Sequence, residues 1–195
     1  ISADGTDGVI DGERVSFVTI AQRGLGRLRG ELIGNGSYRK RDMPEHPLGG
    51  DAAFYEFNCT AFEVDVDKET GEVALIKHIT GGDVGTALNP MQVEMQDEGA
   101  SIMGLGHALM EHIMLDDNGR IRNLGALDYR IPTTMDVPQS LHALMIENHD
   151  GPGPYGAKGV SEGGLLCPAS ALASAVTDAA DIVIRDLPLT PERVW

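Results

Sequence analysis

Alternation between apolar and acidic residues constrains the fold of this chain most strongly. Across residues 62–67 every second residue is Phe or Val, and each residue between them is Glu or Asp. This period of two places apolar and acidic side chains on opposite faces of an extended strand. Residues 68–71 (Lys-Glu-Thr-Gly) favour a turn, and the alternation resumes from Val73 to Ile79. The pattern predicts a β-hairpin with one buried face.

The remaining patterns add short hairpins and a few helices. Ser16 is a plausible N-cap for a helix over residues 17–23, and Gly24 would end it. Pro90 opens a longer helical pattern, whose predicted buried stripe includes Glu98. We find no internal repeat and no clear domain boundary. The other expected elements are hairpins at 11–12 and 116–119, a loop at 41–51, a strand at 141–146, a Gly/Pro-rich loop at 150–164, and helices at 91–112 and 168–184. The predicted stripe of the longer helix is Met91, Met95, Glu98, Ile102, Leu105 and Leu109.

Charge and composition exclude several classes of protein. A formal net charge of −15 argues against a nucleic-acid partner, because phosphate binding needs a basic surface. No apolar run approaches the ~18 residues of a membrane span, and no export signal is evident, so we expect a cytoplasmic protein. Because the chain begins at Ile1 without an initiator Met, we expect a fragment, a processed product or one piece of a divided subunit.

The metal-binding residue types are sparse. Cys59 and Cys167 are the two cysteines, and two thiolates cannot hold an iron–sulfur cluster. Any such cluster must therefore lie on another chain. A bridge between them is left open, but two reduced, buried thiols are expected. His107 and His112 are five residues apart, whereas a helical zinc pair needs a spacing of four, so surface or core histidines are favoured.

Three glycines interrupt the long helical pattern. Gly99, Gly104 and Gly106 lie within eight residues, and each costs about 1 kcal/mol relative to alanine inside a helix. Such a cluster indicates close approach by another backbone or by a ligand. Tight helix packing without a ligand is the alternative.

A carboxylate lies among small residues in the loop before the last long helix. Glu162 follows Gly156-Ala-Lys-Gly-Val-Ser161 and precedes two glycines. Partial burial there would raise the pKa of Glu162 and suit it to general-base catalysis near neutral pH. A solvated loop acid is the plainer alternative.

Seven segments stand out together along the chain: residues 62–73, 83–90, 96–100, 104–106, 127–132, 156–162 and 187–194. In this order they resemble the molybdenum-binding subunit of the xanthine dehydrogenase, aldehyde oxidase and carbon monoxide dehydrogenase family. The resemblance implies an α+β fold of mixed sheets of β-hairpins packed with a few helices, as in that family's molybdenum cofactor-binding domain. It also implies that residues 1–195 form the C-terminal portion of that domain.

The resemblance assigns roles to residues. Glu162 matches the family's catalytic glutamate, which stands beside molybdenum without ligating it and takes the proton from the metal-bound hydroxide. Gln96 matches a glutamine that hydrogen-bonds the cofactor. No protein ligand to the metal is implied, because the pterin dithiolene supplies the sulfur atoms. The other residues assigned to cofactor binding are Gly99, Lys158, Gly159, Val160 and Ser161.

The implied enzyme is a molybdenum hydroxylase acting on a heteroaromatic, aldehyde or related small molecule. Its cofactor would be molybdopterin or the cytosine dinucleotide form. Its partners would be the N-terminal half of the molybdenum subunit and chains carrying a 2Fe–2S cluster and FAD, so this chain alone should not turn over.

The sequence departs from the family at three places. Ser161 replaces a usual Gly, Gly163-Gly164 replace a frequent Pro-Pro, and Met103 replaces a frequent Gln. One alternative is a non-catalytic interaction or assembly module that retains the fold without cofactor. A carboxylate-dependent hydrolase using Glu162 with Asp128 is a third possibility, which nothing in the sequence specifically supports.

Overall fold

A computed structural model describes residues 7–10, 12–25, 35–39, 48, 52 and 54–195 of the chain. Residue contacts divide the chain into two compact units, residues 1–39 and residues 40–195. The predicted loop at 41–51 lies largely outside the described residues.

The first unit contains a β-hairpin followed by a helix. Strands β1 (Asp7–Ile10) and β2 (Glu13–Ser16) pair antiparallel, as predicted for a turn at residues 11 and 12. Ser16 Oγ accepts a hydrogen bond from the Thr19 N–H (3.1 Å), which confirms the predicted N-cap of α1 (Phe17–Leu25). The helix includes Gly24 and ends at Leu25 rather than before the glycine.

The second unit is built on a three-stranded sheet in the order β3-β4-β5. Strands β3 (Asn58–Val66) and β4 (Val73–Asp83) form the predicted antiparallel hairpin, with a bulge between Glu63 and Val64. Strand β5 (Ser140–Ile146) occupies nearly the predicted residues and pairs parallel to β4. A parallel partner needs a long crossover, which here contains the longest helix. The mixed α+β fold expected from the sequence is confirmed.

Helices cover one face of this sheet. Helix α2 (Pro90–Leu109) packs on the sheet together with α4 (Pro168–Ala180), which ends four residues earlier than predicted. Two single-turn helices, α3 (Gly163–Leu166) and α5 (Pro191–Val194), complete the unit. The buried core between them contains Leu105, Ala108, Leu172, Val176, Leu189 and Val194.

The buried face of α2 differs from the predicted stripe. Met91 and Met95 are 66% and 63% exposed, whereas Asp97 and Ser101 are buried. Leu105, in the second half of the helix, is buried as predicted. Helix α2 has apolar residues on several sides, so its spacing alone does not determine which side faces the sheet.

The predicted hairpin at 116–119 is reduced to one bridge between Leu115 and Ile121. In the part of the chain that the structure describes, no helix is both long enough and apolar enough to cross a membrane.

Candidate functional site

The candidate site lies where β4 and β5 end. Because these strands run parallel, their carboxyl ends meet at the same edge of the sheet. Hydrogen bonds join the segments that follow them. Asn148 Nδ2 donates to Asp83 Oδ2 (2.9 Å), and the Ala87 N–H donates to Glu147 Oε1 (2.8 Å). Helix α2 starts beside this junction, and the side chain of its N-cap, Asn89, accepts from the Gln92 N–H (3.3 Å).

Lys158 anchors the loop that carries the predicted site residues. Its Nζ lies 2.6 Å from Asp83 Oδ2, 2.9 Å from Asp150 Oδ1 and 3.2 Å from the Tyr55 carbonyl oxygen. The Lys158 N–H also donates to the Val84 carbonyl (3.0 Å). Three acceptors match the three donors of an ammonium group, so this side chain holds the loop in place. It has no donor left for a ligand.

Lys158 and Asp83 form a buried ion pair, and their hydrogen bonds and mutual attraction outweigh the effect of burial on their pKa values. The side chains of Lys158 and Asp83 are 4% and 7% exposed. Burial alone would lower the pKa of Lys158, but the hydrogen bonds and charges of Asp83 and Asp150 outweigh it and raise that pKa. Burial would raise the pKa of Asp83, but the Lys158 hydrogen bond, with smaller contributions from Gly85 and Asn148, lowers it. Both groups therefore stay charged across the neutral range.

A hydrogen bond joins the two motifs that the sequence singled out. Gln96 Nε2 on α2 donates to the Ser161 carbonyl oxygen over 3.0 Å, across a sequence separation of 65 residues. Both residues are exposed. The long helix and the glutamate-bearing loop therefore form one surface.

Beside this hydrogen bond is an open cleft of about 570 Å³. It contains three of the predicted cofactor residues, Gln96, Lys158 and Val160, whereas Gly99, Gly159, Ser161 and Glu162 are not among the lining residues. Gly99 lies one helical turn after Gln96, and a Cβ atom there would meet nothing within 4 Å. The full lining is Thr86, Leu88, Asn89, Gln92, Val93, Met95, Gln96, Ala157, Lys158 and Val160.

Free backbone donors follow the anchoring lysine. Among the described residues, the N–H groups from Gly159 to Gly164 donate to no protein acceptor. Consecutive unpaired N–H groups form a suitable surface for anionic or oxygen-rich ligands. The same loop therefore offers several hydrogen-bond donors close to the Gln96 amide.

Glu162 sits at the N-terminus of α3, where its carbonyl oxygen accepts from the Leu165 N–H (3.1 Å). Its side chain is exposed, so the partial burial expected from the sequence is not found in this chain. Within the described part of the molecule the carboxylate makes no hydrogen bond or ion pair, and it is available to a ligand or to solvent.

Three polar side chains, those of Glu56, Asn58 and Asp97, belong to the polar floor beneath the turn that carries Glu162. A Cβ on Gly163 would collide with Glu56 Oε1 and Asn58 Nδ2, and a Cβ on Gly164 would lie 3.1 Å from the Asp97 carbonyl oxygen. Burial raises the pKa of Asp97, and burial is also the largest cause of the raised pKa of Glu56. No sequence pattern predicts these two acids as part of the site, because only the tertiary fold brings the start of β3 beneath α2 and the turn.

The glycines of α2 have different environments. A Cβ on Gly104 would lie 2.7 Å from Pro168 Cγ, and one on Gly106 would collide with Glu111. The close approach predicted at these two positions is therefore made by the chain itself. Gly99 alone of the three faces open space.

The alternative chemistries receive no structural support. The Asp128 N–H closes a turn onto the Gly125 carbonyl (3.0 Å), and no hydrogen bond joins Asp128 to Glu162. Cys59 is exposed and Cys167 half-buried, so the expectation of two buried thiols is wrong for Cys59. Over the residues described, no group of three or more His, Cys, Asp or Glu side chains could hold a metal ion.

Residues 3–138 match a protein family described as the molybdopterin cofactor-binding domain. The chain belongs to this family. The match includes Gln96 and Gly99 but stops before the loop of Lys158 to Glu162.

Similar proteins and solved structures confirm the resemblance expected from the sequence. The chain is 35% identical to a probable hypoxanthine oxidase of Escherichia coli over 97% of its own length and 19% of that relative. It superposes with quinoline 2-oxidoreductase of Pseudomonas putida at a TM-score of 0.60 and 34% identity, covering 67% of this chain and 17% of that one. For the aldehyde oxidoreductase of Desulfovibrio desulfuricans the TM-score is 0.67 at 28% identity, covering 75% and 16%. The chain thus spans less than a fifth of each of these three proteins.

Proposed function

We propose that this chain forms one wall of a molybdenum–pterin site in a molybdenum hydroxylase, with Glu162 as the acid–base residue. The Gln96–Ser161 hydrogen bond carries this proposal, because it joins the helix and the loop that the family resemblance assigns to the cofactor and to catalysis. Membership of the molybdopterin cofactor-binding family supports the class of cofactor.

The donor groups of the site fit a molybdenum pterin. The free N–H groups of residues 159–161 and the Gln96 amide would bind the oxygen and nitrogen atoms of such a group. When bound, the cofactor would supply the redox chemistry that inserts oxygen from water into a heteroaromatic or aldehyde substrate. The cofactor would be molybdopterin or its cytosine dinucleotide form, and chemical analysis of the released nucleotide distinguishes the two.

Glu162 would move the proton. Its carboxylate is exposed beside the donor-rich loop, and the turn beneath it is fixed by the Lys158 anchor and by the floor of Glu56, Asn58 and Asp97. A base held in one place accepts a proton efficiently during hydroxylation, which is typically worth 10²–10⁴-fold in rate. The shielding that such a base needs would come from other parts of the enzyme.

The partners follow from the size of the relatives. Because the chain spans only 19% of the hypoxanthine oxidase, we propose that the N-terminal half of a molybdenum subunit completes the site. Electrons would leave through chains that carry a 2Fe–2S cluster and FAD, since two cysteines cannot hold a cluster. A cytoplasmic location remains a prediction.

A glutamine substitution tests the role of Glu162. In the assembled enzyme, we expect Glu162→Gln to retain its molybdenum content and to lower turnover at least ~10²-fold, because the base is lost while the loop is kept. Glu69→Gln, on the exposed β3–β4 turn, is the matched control and should leave turnover unchanged. Normal turnover of the Glu162→Gln enzyme at full molybdenum content would contradict the assignment. Molybdenum-free complexes in all samples would instead favour the assembly-module alternative.

A further inference from the structure

The two outer strands of the three-stranded sheet differ in how well they are protected against pairing with a further strand. Strand β3 carries a bulge at Glu63/Val64 and exposed acidic residues at 63 and 65, and both features oppose pairing with another strand. Strand β5, with the sequence Ser-Leu-His-Ala-Leu-Met-Ile, contains no proline, lysine or acid. Its register with β4 is unbroken from Ser140 to Ile146. An unprotected apolar edge of this kind is a template for a further strand.

The outer edge of β5 has free backbone groups. The Ile146 carbonyl accepts from the Val84 N–H (3.0 Å), so Ile146 directs its backbone groups towards β4. The side towards which the backbone N–H and C=O groups point alternates from residue to residue along a strand. Leu141, Ala143 and Met145 therefore direct these groups away from β4, towards the outer edge. Among the described residues, these three make no hydrogen bond across that edge.

At the carboxyl end of β5, the sheet face beside this edge is also apolar and uncovered. A Cβ on Gly81 would lie 3.4 Å from Cys59 Sγ and 3.7 Å from Leu144 Cβ, so these residues form a row across the three strands. Leu144 and Ile146 are 55% and 50% exposed. Because a sheet normally buries each apolar face against a second layer, this side of the sheet is suited to contact with further protein.

We infer that β5 is an internal strand of a larger sheet, and that a strand from the remainder of the molybdenum subunit pairs with its outer edge. This inference rests on the proposed function, which provides that remainder. The size of the relatives favours this occupant over a second copy of the chain, because more than four-fifths of the hypoxanthine oxidase lies outside the matched region. The main-chain hydrogen bonds at residues 141, 143 and 145 would set the position of the added strand.

Amide hydrogen exchange in the intact native enzyme, resolved to single residues, tests this pairing. We expect the outward amides of Leu141, Ala143 and Met145 to be as strongly protected as those of His142 and Leu144, which face β4 and serve as an internal control. Outward amides that exchange within a factor of about ten of the unprotected rate, beside protected inward ones, would overturn the inference. Protection that appears only when copies of the chain associate would overturn the proposed occupant.

A substitution separates pairing from simple burial. Ala143→Pro removes an outward N–H and leaves the β4 hydrogen bonds in place, so residues 141 and 145 should lose at least ten-fold of their protection. Ala143→Gly retains the N–H and should keep that protection. Unchanged protection of residues 141 and 145 in Ala143→Pro would contradict the strand pairing. If that variant does not fold, the exchange pattern of the wild-type enzyme decides alone.

Molybdenum content and turnover are measured on the same samples. A metal-free sample with protected amides would refute only the proposed function, and an active sample with unprotected outward amides would refute only the strand pairing.

Discussion

At the scale of single residues, two neighbouring carboxylates are held in opposite environments. Glu162 is exposed on the turn, whereas Asp97 below it is 2% exposed and its Oδ2 has no hydrogen-bond partner. Burial without a hydrogen-bond partner disfavours the charged form of a carboxylate and weakens the folded state, whereas an exposed carboxylate keeps its contact with solvent. The sequence identified the exposed acid through its motif, and it gave no sign that Asp97 would be buried.

Asp97 should make stability depend on pH. Burial raises its pKa above the ordinary value of 3.8, so the folded chain keeps a proton that the unfolded chain has lost. Stability therefore falls as pH rises from 3.8 through the raised value and stays low above it. We expect Asp97→Asn to unfold at a higher temperature than wild type at neutral pH and at a similar temperature below pH 3.8.

Thermal unfolding followed by circular dichroism across pH measures this difference. Asp65→Asn, on the exposed face of β3, is the control and should change stability by no more than about 0.5 kcal/mol. A lower unfolding temperature of Asp97→Asn at neutral pH would show that the carboxylate has a stabilising partner.

At the scale of elements, α2 shows what the sequence could and could not predict. Its start was predicted correctly, because Pro90 marks it, whereas the helix ends at Leu109 rather than at residue 112. The predicted buried side was wrong around Met91 and Met95, since apolar residues occur on several sides of the helix. The hairpin of β3 and β4 was predicted correctly because its turn is local. The parallel pairing of β5 depends on a distant crossover, and no local pattern reports it.

The glycines of α2 provide a matched pair of substitutions. A Cβ on Gly104 would lie 2.7 Å from Pro168 Cγ, so we expect Gly104→Ala to lower the free energy of unfolding by about 1–3 kcal/mol through overpacking. Gly99 has open space around it, and Gly99→Ala should raise that free energy by up to about 1 kcal/mol through helix propensity.

Urea denaturation of the two variants and wild type gives both values. Equal effects of the two alanines would contradict the packing of α2 against Pro168. If Gly99 also contacts the cofactor, as its motif predicts, the Gly99→Ala enzyme should contain less molybdenum despite its greater stability.

At the scale of the whole molecule, the site is formed by segments that lie far apart in the sequence. Gln96 and Ser161 are 65 residues apart, and Lys158 is anchored by Asp83 from β4 and by Asp150 after β5. The sequence supplied Gln96, Lys158 and Glu162 through family motifs, but the anchoring role of Asp83 and the floor of Glu56 and Asp97 required the fold. The described cleft is open to solvent, and the chain spans 19% of the hypoxanthine oxidase.

Metal analysis of the native complex isolated through this chain tests the central claim most directly. Near-stoichiometric molybdenum, together with iron and co-purifying chains that carry the remainder of the subunit, an iron–sulfur cluster and a flavin, is the expected result. A complex that contains this chain and its partners but no molybdenum would contradict the proposal that Gln96 and the Glu162 loop form part of a molybdenum–pterin site.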